Sequence, residues 1–190
     1  ARVMGEALES GLLNREAYLE WEAGQVEKHE YVAGEVFAMV GARREHVLVA
    51  GGLYARLRAQ LKGTRCQVFV SDMKLFVAEA DAYFYPDVMV SCDEGDRRAE
   101  LAIEHPCLVV EVLSEGTAEY DRGAKFAAYR KLPALSEYLL VDIGARRLEL
   151  FRRQADGWLM TESVAGMPPL QLRSVDCTLS VDEAFEDLVD

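Results

Sequence analysis

The run Cys107-Leu108-Val109-Val110-Glu111-Val112-Leu113 constrains this chain more than any other segment. Successive aliphatic residues without polar alternation suit a central strand, buried on both faces by helices. Glu111 must then be buried with its neighbours. A carboxylate in that setting is costly unless it is paired or binds a cation. A second run, Tyr85-Pro86-Asp87-Val88-Met89-Val90, places an aspartate at the start of another apolar strand. Two buried carboxylates on neighbouring strands repel one another, and a hard divalent cation bound through oxygen, Mg²⁺ or Mn²⁺, relieves the repulsion. The rival reading has Asp87 capping a turn and Glu111 paired with an arginine, and spacing alone does not separate the two.

The rest of the chain supplies elements to surround these strands. Asn14 is placed to cap a helix over residues 15–22, with Gly24 as its stop. Residues 26–31 and 35–40 read as strands joined through Val32-Ala33-Gly34. Residues 44–61 form the clearest helix, with Val47, Leu48, Leu53, Tyr54, Leu57 and Leu61 at helical spacing. Strands are expected over 66–70, 74–78, 87–91, 107–113 and 137–142, a second helix over 121–132, a hairpin from 147–152 and 158–163, and a short helix over 181–188. Residues 1–13 read as an irregular extension. The pattern is that of one α/β (α+β) domain spanning residues 1–190.

Several function classes are excluded by absence. There is no Gly-x-Gly-x-x-Gly after a strand, no P-loop, no Gly-x-Ser-x-Gly elbow and no His-Glu-x-x-His. No apolar run approaches the ~20 residues of a membrane span, and the first ten residues lack the pattern of a signal peptide. Cys66, Cys92, Cys107 and Cys177 contain no Cys-x-x-Cys pair, so a structural zinc site is not expected. The expectation is a cytoplasmic protein with free thiols, Cys107 being a small core residue.

Candidate partners for the two carboxylates come from three places. Asp121, Lys125 and Tyr129 are spaced by four and share one helix face. A lysine delivered from that face could orient or deprotonate water, or neutralise charge on a phosphate. The competing reading is a solvated lysine paired with Asp121. Glu30 or Glu35, from the early hairpin, could complete a metal shell. His46, in the first turns of the long helix, could contact phosphate or act as a base, although a surface or satisfied core histidine is the more common case.

These segments together resemble the family of putative restriction endonucleases known as Uma-two, a branch of the PD-(D/E)xK nuclease superfamily. The matching stretches are Glu30-Tyr31-Val32-Ala33-Gly34-Glu35, His46, Tyr85-Pro86-Asp87-Val88, Val110-Glu111-Val112-Leu113-Ser114, Thr117, Tyr120-Asp121-Arg122-Gly123-Ala124-Lys125-Phe126, Tyr129-Arg130 and Glu137-Tyr138-Leu139-Leu140-Val141-Asp142. The resemblance implies a restriction-endonuclease-like core, a mixed β-sheet flanked by helices, and Mg²⁺- or Mn²⁺-dependent hydrolysis of phosphodiester bonds. It implies Asp87 and Glu111 as metal ligands, with the Val112 carbonyl as a third, and Glu35 as an additional acid. Where the superfamily lysine would stand, this chain has Leu113, and Lys125 is the substitute. His46, Arg122, Tyr129 and Arg130 would contact substrate.

The formal net charge of -12 argues against a protein that coats nucleic acid by charge alone. The acid is unevenly spread. Residues 121–153 carry eight basic against four acidic side chains, while residues 63–120 carry four against twelve. The basic block reads either as a phosphate-facing strip or as a solvated, paired surface. The implied partner is nucleic acid, DNA before RNA, with a homodimer as the arrangement that would cut both strands. A catalytically silent binding protein and a hydrolase of small phosphoesters fit the same residues.

Overall fold

The apolar strand around Glu111 lies inside a sheet, with a neighbouring strand on each side. A computed structural model describes residues 4–7, 12–39 and 41–189. In chain order the elements are β1 (Met4–Ala7), α1 (Arg15–Ala23), β2 (His29–Val32), β3 (Glu35–Met39), α2 (Arg44–Gln60), β4 (Gln67–Val70), β5 (Lys74–Val77), β6 (Ala82–Phe84), β7 (Val88–Ser91), β8 (Ala102–Ile103), β9 (Leu108–Val112), α3 (Ala118–Arg122), α4 (Ala124–Tyr129), β10 (Glu137–Asp142), β11 (Arg147–Gln154), β12 (Gly157–Ser163), β13 (Leu170–Leu172), β14 (Cys177–Leu179) and α5 (Val181–Ala184).

Two mixed six-stranded sheets result, ordered β1-β3-β2-β6-β5-β8 and β12-β11-β10-β9-β7-β4, with β13-β14 as a separate pair. The second sheet is antiparallel except where β9 and β10 run parallel. That pair requires a crossover, and α3 and α4 provide it. Its two faces follow from side-chain alternation. Val88, Val90, Leu108, Val110, Val112, Leu139 and Val141 face Val49, Leu53 and Leu57 of α2. Met89, Val109, Tyr138 and Leu140 face Phe126 and Tyr129 of α4, together with Leu75, Val77 and Phe84 from the first sheet. Leu53→Ala, at a position 2% exposed, should cost about 2–5 kcal/mol in chemical denaturation. A loss under 1 kcal/mol would mean that α2 is not a core helix.

The N-terminal half corrects one expectation. Met4–Ala7, read as part of an irregular extension, pair antiparallel with β3, Met4 with Met39 and Ala7 with Phe37. Residues 1–3 and 8–11 of that extension, and Val40 of the expected hairpin strand, lie outside the described residues. The hairpin itself turns on Ala33 and Gly34, both at positive φ (48° and 95°), the conformation a two-residue primed turn requires. Asn14 caps α1 as expected, its Oδ1 accepting the Ala17 N–H at 2.8 Å.

Two further expectations are corrected. The helix expected over 121–132 is broken at Gly123, between α3 and α4. A Cβ there would lie 3.0 Å from the Glu119 carbonyl oxygen, a tight contact that glycine avoids at the break. The thiols are not all free, because Cys66 and Cys92 are joined by a disulfide, leaving Cys107 and Cys177. The disulfide removes the free-thiol support for a cytoplasmic location. Among the described residues no helix is long and apolar enough to cross a membrane.

Candidate active site

The ladder between β7 and β9 pairs Val88 with Val110 and Met89 with Val109. Continued by one residue, the register sets Asp87 opposite Glu111 on the face that carries α4. Residues directly opposite in an antiparallel pair have Cβ atoms about 4.5–5.5 Å apart. Both side chains are buried, at 5% and 3% exposure. Asp87 Oδ2 accepts the Val112 N–H at 2.8 Å and lies 3.2 Å from His46 Nε2. Glu111 Oε1 accepts the Tyr129 hydroxyl at 2.9 Å and lies 3.2 Å from Lys125 Nζ.

Lys125 is 6% exposed and surrounded by acid. Its ammonium is also 3.4 Å from Asp121 Oδ1 and 3.6 Å from Glu30 Oε1. The spacing of four that suggested a shared face therefore holds across the break at Gly123. Leu113 follows Glu111 by two residues and packs among Met89, Val109 and Phe126. The position after the motif acid is thus apolar, and the ammonium arrives from α4 instead.

The electrostatics divide the two carboxylates. Burial opposes ionisation of Asp87, but His46, Lys125 and the Val112 N–H outweigh it and hold the carboxyl below the ordinary aspartate value. Burial pushes Glu111 well above the ordinary glutamate value; Lys125 opposes the rise, while Asp87, Asp121 and Glu30 reinforce it. Burial alone would discharge Lys125, yet Glu111, Glu30, Tyr129 and Asp121 raise its pKa well above the ordinary lysine value. Asp121 is raised by burial.

Not every expected residue joins this group. Glu35 is exposed at the first position of β3, beside the turn, whereas Glu30 in β2 is buried and near Lys125. Glu30 is therefore the acid the hairpin brings to the site. The signal was available in sequence, since a residue directly after a Gly turn is usually at a solvent edge. Arg122 points away, bonded to Glu149 and near Asp142 at 3.5 Å. Arg130 is exposed and lies over the Phe126 ring at 4.5 Å. Val112 contributes its N–H to Asp87. The basic block is largely engaged internally: Arg147 pairs with Asp142 and Glu149, Arg152 with Glu137, and Arg153 donates to the carbonyls of Leu135, Arg130 and Leu132. Most of the block is therefore a paired surface, with Arg130 and Lys131 exposed at its edge.

A cleft of about 570 Å³ opens on His46 and Asp87, lined also by Lys28, Met39, Val47 and Val70. A second group of potential metal ligands lies elsewhere. Asp93, Asp96 and His105 bring ligand atoms within 4.8 Å of one another. The Asp96 carboxylate there is already engaged, accepting from the Ser91 hydroxyl and the N–H groups of Glu104 and His105.

The fold is shared with solved structures. A crystal structure from Anabaena variabilis, described as a putative nuclease belonging to DUF820, superimposes with a TM-score of 0.76. The match covers 92% of this chain and 98% of that one, at 14% identity. Family assignment comes from sequence. The Uma2 model, described as "Putative restriction endonuclease", matches residues 15–182, and the chain belongs to that family. Two proteins of Synechocystis sp., both called uncharacterized, are close relatives: slr1290 at 39% identity over 93% of each chain, and sll1609 at 38% over 80% of this chain and 87% of its own.

Proposed function

We propose that the chain is an endonuclease that hydrolyses phosphodiester bonds of DNA with Mg²⁺ or Mn²⁺ held by Asp87 and Glu111. The observation that carries this reading is an excess of buried acid. Asp87, Glu111, Asp121 and Glu30 converge on one ammonium and one imidazole, all of them under 8% exposed. Such a cluster is self-repelling unless a cation joins it. The donors available are carboxylate oxygens from adjoining strands, which suits a hard divalent ion, and the Val112 carbonyl is a further candidate.

The ion would supply Lewis-acid polarisation of the scissile phosphate and lower the pKa of a bound water. The protein residues do the positioning. Asp87 is held anionic and fixed in orientation by the Val112 N–H. Tyr129 orients Glu111 through its hydroxyl. Lys125 stays protonated, so it serves as a fixed positive charge for the phosphate and not as a base at neutral pH. His46 acts through Asp87 as a positioning residue. Arg43 and Arg44, exposed at the start of α2 between Ala42 and His46 of the cleft lining, would meet the nucleic-acid backbone.

Incubating plasmid and single-stranded DNA with the purified protein in Mg²⁺, Mn²⁺ and EDTA tests this reading. Metal-dependent cleavage of either substrate is expected. Absence of cleavage in both metals would favour a catalytically silent binding protein. Arg43→Ala with Arg44→Ala should weaken DNA binding by about tenfold at low salt, since each phosphate contact carries a screened electrostatic contribution. Unchanged affinity in fluorescence anisotropy would remove α2 from the interface.

His46 gives a pH prediction. Its contact lowers the Asp87 pKa, so His46→Ala should raise it. The acidic limb of the cleavage profile should then move to higher pH while the basic limb stays. An unmoved acidic limb would show that His46 does not act through Asp87.

A further inference from the structure

The metal site leaves the cysteines unused. Cys92, just beyond β7, is bonded to Cys66, which precedes β4. Cys92 Sγ also lies 3.8 Å from Sγ of Cys107, which directly precedes β9. The sulfurs of Cys92 and Cys107 are already in van der Waals contact. Their backbones are tied together, because the Cys107 N–H donates to the Val90 carbonyl at 2.9 Å. Cys66 belongs to a separate segment and lines a cleft of about 290 Å³ beside Arg58, Gln67 and Phe69. The arrangement is therefore asymmetric, with Cys92 bonded to a sulfur that borders a cavity and in contact with a half-buried one.

We propose that Cys66, Cys92 and Cys107 form a thiol–disulfide exchange site that takes a low-molecular-weight anionic disulfide of the glutathione class at Cys66. In the first step the Cys107 thiol loses its proton to solvent and its thiolate attacks Cys92 Sγ. The Cys66–Cys92 bond breaks as the Cys92–Cys107 bond forms, and Cys66 leaves as the thiolate, with no net oxidation. In the second step the Cys66 thiolate attacks one sulfur of the small disulfide, gives a mixed disulfide at Cys66 and releases the other half as a thiolate, which takes up a proton. The Arg58 guanidinium in the same cleft is a partner for the carboxylates of such a molecule.

Burial pushes the Cys107 thiol up to about 11, and Glu137 of β10 and the Cys177 thiol face it. The thiolate is thus scarce at neutral pH, and the first step should quicken as pH rises. This site lies apart from Asp87 and Glu111, so its fate is independent of the nuclease reading.

The test is a peptide map. Protein purified without reductant is incubated with oxidised glutathione at about pH 8.5, in the range where cysteine thiols begin to ionise. It is then quenched in acid, alkylated, digested and analysed by mass spectrometry. The expected product carries one glutathione on Cys66 and a Cys92–Cys107 disulfide. Cys107→Ser and Cys107→Ala should both keep Cys66–Cys92 and take no glutathione at Cys66. Three free thiols in the starting protein, glutathione on Cys107 with Cys66–Cys92 intact, or no adduct in the wild type would each overturn the proposal. So would a Cys66 adduct in either Cys107 variant. The wild-type map decides the question even if a variant misfolds.

Discussion

Asp87→Asn is expected to reduce Mg²⁺-dependent DNA cleavage by about 10³-fold or more while leaving the fold intact, since loss of a charged metal ligand removes both ion and orientation. The isosteric change matters. An asparagine Oδ1 can still accept the Val112 N–H that Asp87 accepts at 2.8 Å. Asp87→Ala would leave that buried donor unpaired at a cost of about 1–3 kcal/mol, so lost activity there would mix chemistry with stability. Comparing thermal unfolding of the two variants separates the effects. Full cleavage by folded Asp87→Asn would remove Asp87 from the mechanism.

Lys125→Met should have the largest combined effect. The ammonium lies within 3.2–3.6 Å of Glu111, Asp121 and Glu30. Removing one member of a buried ionic group costs about 3–5 kcal/mol, because the others lose their counter-charge. For a chain of this size each kcal/mol lowers Tm by about 2–4 °C, so a fall of roughly 6–20 °C is expected at neutral pH. The deficit should shrink with acid. Glu111 and Asp121 have raised values in the folded protein. The folded state therefore binds their protons in the window above the ordinary carboxylate values, and stability is lost as pH rises through it. With the counter-charge gone that window widens upward. Lys125→Met should accordingly be closer to wild type near pH 5 than at pH 8 in calorimetric scans. A deficit that grows on acidification would contradict the assigned charges. Cleavage should also fall by at least about 10²-fold, as a fixed positive charge near the phosphate is lost.

Much of this was legible from residues alone. The continuous run around Glu111 marked an interior strand, and Leu53, Leu57 and Leu61 of the helical spacing fall on the observed core face of α2, whereas Val47, read with them, is exposed. The Asp87–Glu111 pairing could be anticipated because Asp87 directly precedes one apolar strand and Glu111 lies near the end of another. Other features were not readable. The strands β6, β8, β13 and β14 span two or three residues each, too short for a periodicity. A single sheet was expected and two formed, because pairing between distant segments such as β2 and β6 is a tertiary choice. The break at Gly123 rests on a close approach to the Glu119 carbonyl. The Cys66–Cys92 bond joins residues 26 apart, and cysteine spacing does not fix connectivity. The choice between Glu30 and Glu35, by contrast, did have a signal, the Gly34 turn that leaves Glu35 exposed at the start of β3. The basic block read as plausible phosphate contact because its acidic partners, Asp142, Glu149 and Glu137, come from β10 and β11.

Family membership and the shared fold bring the chain to a nuclease-like class, and the proposed chemistry rests on the convergence of Asp87, Glu111 and Lys125. The central claim is that a divalent ion sits between Asp87 and Glu111. Anomalous diffraction from crystals soaked in Mn²⁺ tests it most directly. The account predicts a peak within about 2.0–2.6 Å of a carboxylate oxygen from both residues, the range for hard divalent cations, and its loss in Glu111→Gln. A peak at Asp93, Asp96 and His105 with none at Asp87 and Glu111 would contradict it.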